Sequence, residues 1–340
     1  MTKVAEKLLS RQALTESEFE QIILNKDEYF DLFQQKAKEI TEQNFGNEIF
    51  IRGLIEVSNV CRNDCLYCGI RKSNTCVERY VLEDAEILKS CEDGYKAGFR
   101  TFVLQGGETD KNYSSLVKKI KTTYPYCAVT LSLGEKTKEE YQELKDAGAD
   151  RYLLRHETAD NDHYAKLHPD EMSLENRMKC LKTLKEIGFQ TGCGFMVGSP
   201  YQTPKTLAKD LFFIQEFKPH MVGIGPFIPQ SETPFKNEKS GSLELTLYLL
   251  SVLRIMCPKL LLPATTALES LSRGGREKGI LHGANVVMPN ISPMRARENY
   301  KLYNNKFKTD TSPKETLDTL QKSLSKISRT ISYSRGDAII

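Results

Sequence analysis

Ile49-Phe50-Ile51-Arg52-Gly53-Leu54-Ile55-Glu56-Val57 leads directly into Ser58-Asn59-Val60-Cys61-Arg62-Asn63-Asp64-Cys65-Leu66-Tyr67-Cys68. The first nine residues are rich in β-branched side chains and read as a strand. The turn after this strand decides the fold. A doubly wound nucleotide-binding sheet would continue from its first strand into G-x-G-x-x-G, and that fingerprint is absent here. Further strand-like runs lie at 101–105, 128–133, 151–155, 190–196, 221–224, 260–263 and 285–287. Amphipathic stretches at 82–97, 113–123, 137–147, 174–187, 204–217 and 243–256 lie between them. Gly98, Gly148 and Gly188 each stand just past a helical stretch, where a left-handed cap belongs. Eight strand–helix repeats in roughly 240 residues predict an α/β fold, a complete (β/α)8 TIM-type barrel.

Working outward, residues 1–47 are charged with helical spacing and predict an N-terminal extension of a few short helices. Residues 48–303 form the barrel. Residues 304–340 form a polar tail with one amphipathic helix near 314–327. The chain has 340 residues, 39% hydrophobic and 27% charged, enough to bury a large core. Lys plus Arg number 48 against 45 Asp plus Glu, so nothing in the charge points to nucleic acid or an anionic membrane. The most apolar stretch, 243–266, is interrupted by Glu244, Arg254, Lys259 and two prolines, and is a poor membrane span. No apolar leader is visible at the start. The chain reads as cytoplasmic.

Nine cysteines, an odd number, three of them within eight residues, argue for a reduced compartment and a metal site rather than disulfides. Cys61, Cys65 and Cys68 have the spacing C-x3-C-x2-C. Three thiolates this close can hold three corners of a cubane iron–sulfur cluster. Zinc would want a fourth ligand, and no Cys or His stands at a suitable distance; Cys76 is eight residues on. Three ligands leave one iron open to bind and reduce a small molecule at the mouth of the barrel.

The triplet, with an aromatic residue (Tyr67) before its last cysteine, resembles the signature of the radical S-adenosylmethionine (SAM) superfamily. More narrowly the chain is similar to the HydE maturases of FeFe-hydrogenase, and next to them to biotin synthase and methylornithine synthase. The match runs through Val103-Leu104-Gln105-Gly106-Gly107-Glu108, Val129-Thr130-Leu131-Ser132-Leu133-Gly134-Glu135, Arg151-Tyr152-Leu153-Leu154-Arg155-His156-Glu157-Thr158-Ala159, Met221-Val222-Gly223-Ile224-Gly225-Pro226-Phe227-Ile228-Pro229, Pro263-Ala264-Thr265-Thr266-Ala267 and Gly283-Ala284-Asn285-Val286-Val287-Met288-Pro289-Asn290. Every one of these falls at a strand or its C-terminal end.

The resemblance implies one 4Fe–4S cluster on Cys61, Cys65 and Cys68, whose open iron chelates the methionine end of SAM and whose electron cleaves the C5′–S bond. It implies SAM contacts from Tyr67, from the Gly106-Gly107-Glu108 turn, and from Ser132, Glu157 and Arg177. The alternatives are an ordinary turn for the glycines, an ion pair with Arg151 or Arg155 for Glu157, and a solvated helix face for Arg177. A strand period of two puts Arg151, Leu153 and Arg155 on one face, toward the barrel interior. A guanidinium there needs an anion, and the resemblance makes Arg155, with Gln105, Thr130, Thr265 and Thr266, the lining of the substrate cavity. Tyr300 and Tyr303 match tyrosines near that cavity or simply pack, and Met221 and Met288 read as core. His156 alternates outward and reads as structural. His163, His168, His220 and His282 lack ligand spacing. Cys127 and Cys193 lie on strands, where biotin synthase holds a sacrificial cluster, but two are too few; with Cys76, Cys91, Cys180 and Cys257 they read as structural.

Some HydE relatives carry an auxiliary cluster near the last barrel helix. Residues 303–313 contain no cysteine, so none is expected here. The reading is a radical SAM maturase acting on a small organometallic or amino-acid-derived substrate, with a ferredoxin or flavodoxin as reductant and companion maturases as partners. The alternatives are a radical mutase or sulfur-inserting enzyme on an organic substrate, against which the missing sulfur-donor cluster and the Pro263–Ala267 and Gly223–Pro229 stretches count, and a non-catalytic iron–sulfur and SAM-binding scaffold, against which the polar strand ends count.

Overall fold

The computed structural model describes residues 2–339. Three helices, α1 (Lys3–Leu9), α2 (Glu16–Leu24) and α3 (Lys26–Phe45), come first. Thr2 and Thr15 cap the first two with their hydroxyls. The third is a single helix of 20 residues, longer than the spacing predicts. The chain then alternates through β1 (Glu48–Ile51), β2 (Gly53–Ser58), α4 (Asp84–Ala97), β3 (Thr101–Gly106), α5 (Ser114–Thr123), β4 (Ala128–Ser132), α6 (Lys138–Asp146) and β5 (Arg151–Leu153). Next come α7 (Asn161–Leu167), α8 (Leu174–Glu186), β6 (Gln190–Cys193), β7 (Met196–Val197), α9 (Pro204–Phe217), β8 (Met221–Val222), β9 (Gly225–Pro226) and α10 (Leu243–Met256). The last elements are α11 (Thr266–Leu271), α12 (Gly275–Leu281), β10 (Val286–Val287), α13 (Met294–Asn299), α14 (Pro313–Ser325) and β11 (Thr330–Ser332).

The main sheet runs β2-β3-β4-β5-β6-β8, every pair parallel. The run at 260–263 forms no strand of its own. It supplies single bridges, Leu261 to Met221 and Pro263 to Val286. β10 pairs with β1, and Leu54 bridges to Asn290. The first run therefore bonds both to the second and to the eighth. Sequence neighbours are spatial neighbours throughout, the order of an α/β barrel; a doubly wound sheet reverses its order at a switch point.

Three expected strands are broken. Arg52 interrupts 49–57; its buried guanidinium turns inward to the Gly336 carbonyl and the Met221 sulfur. The runs 190–196 and 221–224 part at Gly194 and Gly223, where a Cβ on Gly194 would stand 2.0 Å from the Gly223 carbonyl oxygen. Ile55, Val57, Phe102, Leu104, Val129, Leu131 and Tyr152 face the helices and join the main core, while Met221, Leu261 and Val286 form a separate apolar plug inside, with Leu153 and Met288 against it. The core reading of Met221 and Met288 holds. α10, too interrupted to span a membrane, is instead the most buried helix, its Tyr248 ring stacked 5.7 Å from Phe33.

The tail holds one strand that its sequence does not predict. β11 lies parallel to β1, and the residues after it pass beneath the barrel. Arg335 offers its carbonyl to Thr101 and Arg151, and Asp337 accepts from Arg151 at 2.6 Å and from Gln190. The lower end is thereby covered, which leaves the C-terminal strand ends for chemistry.

Candidate functional site

Cys61, Cys65 and Cys68 stand as free, half-buried thiols in the loop after β2. The loop is held by arginines. Arg79 donates to the carbonyls of Asn59, Ile70, Arg71 and Asn74, and Arg71 grips Asp64 at 2.6 Å. Backbone N–H groups turn toward the sulfurs: Glu108 N–H donates to Cys61 at 3.4 Å, and Asn63 and Ile70 supply donors to Cys61 and Cys68. Burial pushes all three thiols up, Cys68 to about 12, and the neighbouring thiols add to the shift in Cys65 and Cys68. Among the described residues no three or more His, Cys, Asp or Glu side chains converge on a single-ion site. A multi-iron cluster gives each thiolate its own iron, so its ligands need not converge. Three soft thiols with amide donors around them fit such a cluster.

The β3 turn carries this loop. A Cβ on Gly107 would come 2.1 Å from the Val60 carbonyl oxygen, so the cysteine loop can rest on the turn only because the residue is glycine. This goes beyond an ordinary turn. The Glu108 carboxylate, however, is engaged: it takes Arg62 Nε at 3.0 Å and the Glu135 N–H at 2.7 Å. Of the expected Gly106-Gly107-Glu108 contact, the carboxylate, the Glu108 carbonyl (taken by Arg62 N–H) and the Gly107 and Glu108 N–H groups all serve the scaffold.

The strand period does not extend as far as Arg155 and Glu157. β5 ends at Leu153, and Glu157 sits at φ +66°, a region that costs about 1–3 kcal/mol for a residue other than glycine. Its neighbours hold it there. His156 Nδ1 accepts from Gly194 N–H, so Nε2 carries the proton and donates to Asp210 Oδ1 at 3.2 Å. The same oxygen accepts the Ala159 N–H at 2.6 Å. Burial lowers His156 to about 3 and keeps it neutral, structural as expected. Arg155 and Glu157 nevertheless meet, Nη2 lying 3.1 Å from Oε2, without the alignment of a hydrogen bond. Both of those atoms, with Arg155 Nε, are buried and lack a hydrogen-bond partner. Arg151 points the other way, to Asp337.

Thr130 and Thr265 carry the same mark, each with a buried hydroxyl that has no hydrogen-bond partner. Gln105 donates to Tyr300 Oη at 3.3 Å and pairs across the sheet with Ser132. Thr266 opens α11, half-buried. Tyr303 is half-buried, and burial pushes its hydroxyl up to about 12. Arg177 is 8% exposed, so the solvated-face alternative is wrong; it is paired with Glu135 and donates to the Arg155 carbonyl at 2.8 Å. Tyr67 meets His168 Nε2 at 3.2 Å. His168 Nδ1 must donate to the Tyr164 carbonyl, so Tyr67 donates the hydroxyl proton.

Sequence reasoning missed Arg62, Arg79, Glu135, His168 and Asp210, as well as a buried ion pair between Glu56 and Lys306. No local spacing signals any of them. His163, His220 and His282 are hydrogen-bonded within the fold. Cys91, Cys127, Cys180 and Cys193 are buried, Cys257 is half-buried, and Cys76 is exposed with no packing to serve.

The Radical SAM superfamily model matches residues 55–214, which takes in the thiols, the Gly-Gly turn, Glu157 and Arg177. The [FeFe] hydrogenase maturase subunit HydE of Thermotoga maritima is 46% identical over 317 residues, 91% of this chain and 90% of that protein. The chain belongs to the HydE family of radical SAM enzymes. A 3-methylornithine synthase of Methanosarcina acetivorans is 27% identical to this HydE-family chain over 88% of it and 87% of the synthase. Two solved structures share the fold: methylornithine synthase PylB, with a TM-score of 0.81, 24% identity and 97% of both chains covered, and the hydrogenase maturase HydG, with 0.80, 22% identity, 97% of this chain and 75% of that one. For a HydE-family enzyme the family's cofactors are a 4Fe–4S cluster and SAM. Among the described residues no helix is long and apolar enough to cross a membrane.

Proposed function

We propose that this HydE-family enzyme reductively cleaves SAM to a 5′-deoxyadenosyl radical and uses it on a small anionic precursor during assembly of the diiron part of the FeFe-hydrogenase cofactor. Cys61, Cys65 and Cys68 would hold the 4Fe–4S cluster. When bound, that cluster supplies the low-potential electron for breaking the C5′–S bond. The chain's own residues bind, orient and exclude water. Glu157 Oε2 is the acceptor for the SAM ribose hydroxyls, with Tyr67, Ser132, Arg177 and the Gly106-Gly107 carbonyls around the rest of the cofactor. Arg155, Gln105, Thr130, Thr265 and Thr266 face the substrate; the guanidinium selects an anion, and the two threonine hydroxyls fix its orientation.

The observation that carries this reading is the set of buried polar atoms without hydrogen-bond partners in Arg155 and Glu157, just past β5 and with Glu157 close enough to act on the Cys65 thiol, joined by the hydroxyls of Thr265 and, deeper in β4, Thr130. Buried groups of this kind cost roughly 1–3 kcal/mol each unless something bonds them. The reading extends to a single cluster, to a ferredoxin or flavodoxin as electron donor, to companion maturases as partners, to a cytoplasmic setting, and to the division at residues 48 and 303. Anaerobically reconstituted protein given dithionite and SAM should release 5′-deoxyadenosine, and the gene should restore hydrogenase activity in a host lacking its own HydE. Release without restoration would move an organic-substrate mutase ahead; no release would leave a scaffold.

A further inference from the structure

At the C-terminal ends of the last barrel strands, α12, the loop at 306–311 and α14 enclose a cavity of about 280 Å³, with Thr266, Met288 and Asn290 in its inner wall. Its walls carry Arg276, Arg297, Lys306 and Lys308 against Glu269 and Glu277. Lys306 is paired with Glu56. Arg297 spends its donors on the carbonyls of Ser292, Thr309 and Thr311, with no carboxylate in contact. Arg276 differs from both. Its Nε is buried with no hydrogen-bond partner, and its guanidinium lies 5.6 Å from the centre of the Phe307 ring. Neither nearby carboxylate hydrogen-bonds the guanidinium: Glu269 accepts the backbone N–H groups of Gly274 and Arg276, and Glu277 accepts from Ser323 on Oε1 while its Oε2 is buried without a hydrogen-bond partner. A guanidinium stacked on an aromatic face keeps its in-plane donors for a forked contact, the geometry that fits an oxyanion.

The geometry points to a second ligand site: this cavity binds a small molecule bearing an oxyanion, a carboxylate or a phosphate ester, on Arg276. The cavity shares Thr266 with the substrate-facing set proposed above, but a ligand on Arg276 needs neither the cluster nor SAM, so its binding can fail without touching that reaction. Phe307, 39% exposed, supplies the reporter. The chain has no tryptophan, so Phe307→Trp places the molecule's single indole against the cavity.

Full-length, anaerobically reconstituted Phe307→Trp protein would be titrated with inorganic phosphate and, separately, with succinate, following the indole emission. A saturable change with either is expected, and which probe saturates at lower concentration assigns the ester or the carboxylate. Adding Arg276→Gln should weaken that response at least tenfold. Thr319→Glu, on the exposed wall of the cavity, should do the same by placing a competing carboxylate there without removing a contact, which covers a failure of the arginine variant to fold. No saturable change with either probe, or a response that survives both substitutions, would overturn the site.

Discussion

Glu157 and Arg155 form the ion pair weighed from the sequence, Oε2 and Nη2 lying 3.1 Å apart, and both atoms keep their hydrogen-bonding capacity for a third partner. Glu157→Gln keeps the shape and an acceptor but removes the charge. SAM should then bind ten- to a hundredfold more weakly, since a charge-assisted hydrogen bond contributes about 1.5–3 kcal/mol, with iron content unchanged; an unaltered SAM titration would return Glu157 to a purely structural role. Arg155→Leu should separate the two halves of the reaction, leaving 5′-deoxyadenosine release intact while maturation stops. The thiols give a pH prediction. All three sit above the ordinary thiol range because of burial, so each must surrender a proton to become an iron ligand, and iron loading should strengthen as pH rises from 7 to 8.5. A flat profile in chelator competition, or full iron in the triple Cys→Ala variant, would contradict the assignment. The thiols were legible because they lie within eight residues of one another. Their supports were not: Arg62 meets Glu108 across 46 positions, and Arg177 meets Glu135 across 42, pairings that one sequence cannot encode locally.

The short segment after β5 shows how a helix on the outside shapes a site on the inside. Asp210 on α9 collects both the His156 side chain and the Ala159 N–H, the two flanks of Glu157, and so offsets the cost of its left-handed backbone. Asp210→Ala should orphan both donors at roughly 1–3 kcal/mol each, lower the urea midpoint, and raise the KM for SAM more than it lowers kcat. Asp210→Asn keeps the Oδ1 acceptor and should recover most of both; if it does not, the charge rather than the tether matters. At this scale the alternation of strand and helix was legible from hydrophobic period, and Gly98, Gly148 and Gly188 do take positive φ past their helices. Strand lengths were not. An apolar run such as 49–57 carries no mark of the break at Arg52, because what turns that guanidinium inward is Gly336, 284 positions later. The period-two argument likewise failed at Arg155, because the strand it assumes stops at Leu153.

The barrel is polar at both ends and apolar between, and the chain's last residues cover the end that does no chemistry. Thr330-Ile331-Ser332 is too short and too polar to be read as a strand; it becomes one because β1 has an edge free to receive it. Beyond it, Asp337 stands between Arg151 and Arg335. Burial alone would raise its carboxyl, but the hydrogen bond and charge of Arg151, joined by those of Arg335, outweigh that and hold it at about 2, against 3.8 ordinarily. A carboxylate with a lowered folded value stabilises the fold above its unfolded value, and that contribution fades as pH falls from about 3.8 through about 2. Asp337 is 41% exposed while Arg151 is buried, so solvent screens the pair and its loss should cost about 1 kcal/mol. Asp337→Asn should therefore lower Tm by a few degrees at pH 7 and by almost nothing near pH 2, where the wild-type group is itself becoming neutral. Removing residues 330–340 should lower Tm further, because Thr101, Arg151 and Gln190 lose their partners together and the β1 edge is bared. In both variants the iron content and the 5′-deoxyadenosine burst of the protein that stays folded should match the wild type, because the thiols and Glu157 lie at the opposite end of the strands. A selective loss of iron with Tm unchanged would mean that the tail acts on the site through the barrel rather than on stability alone.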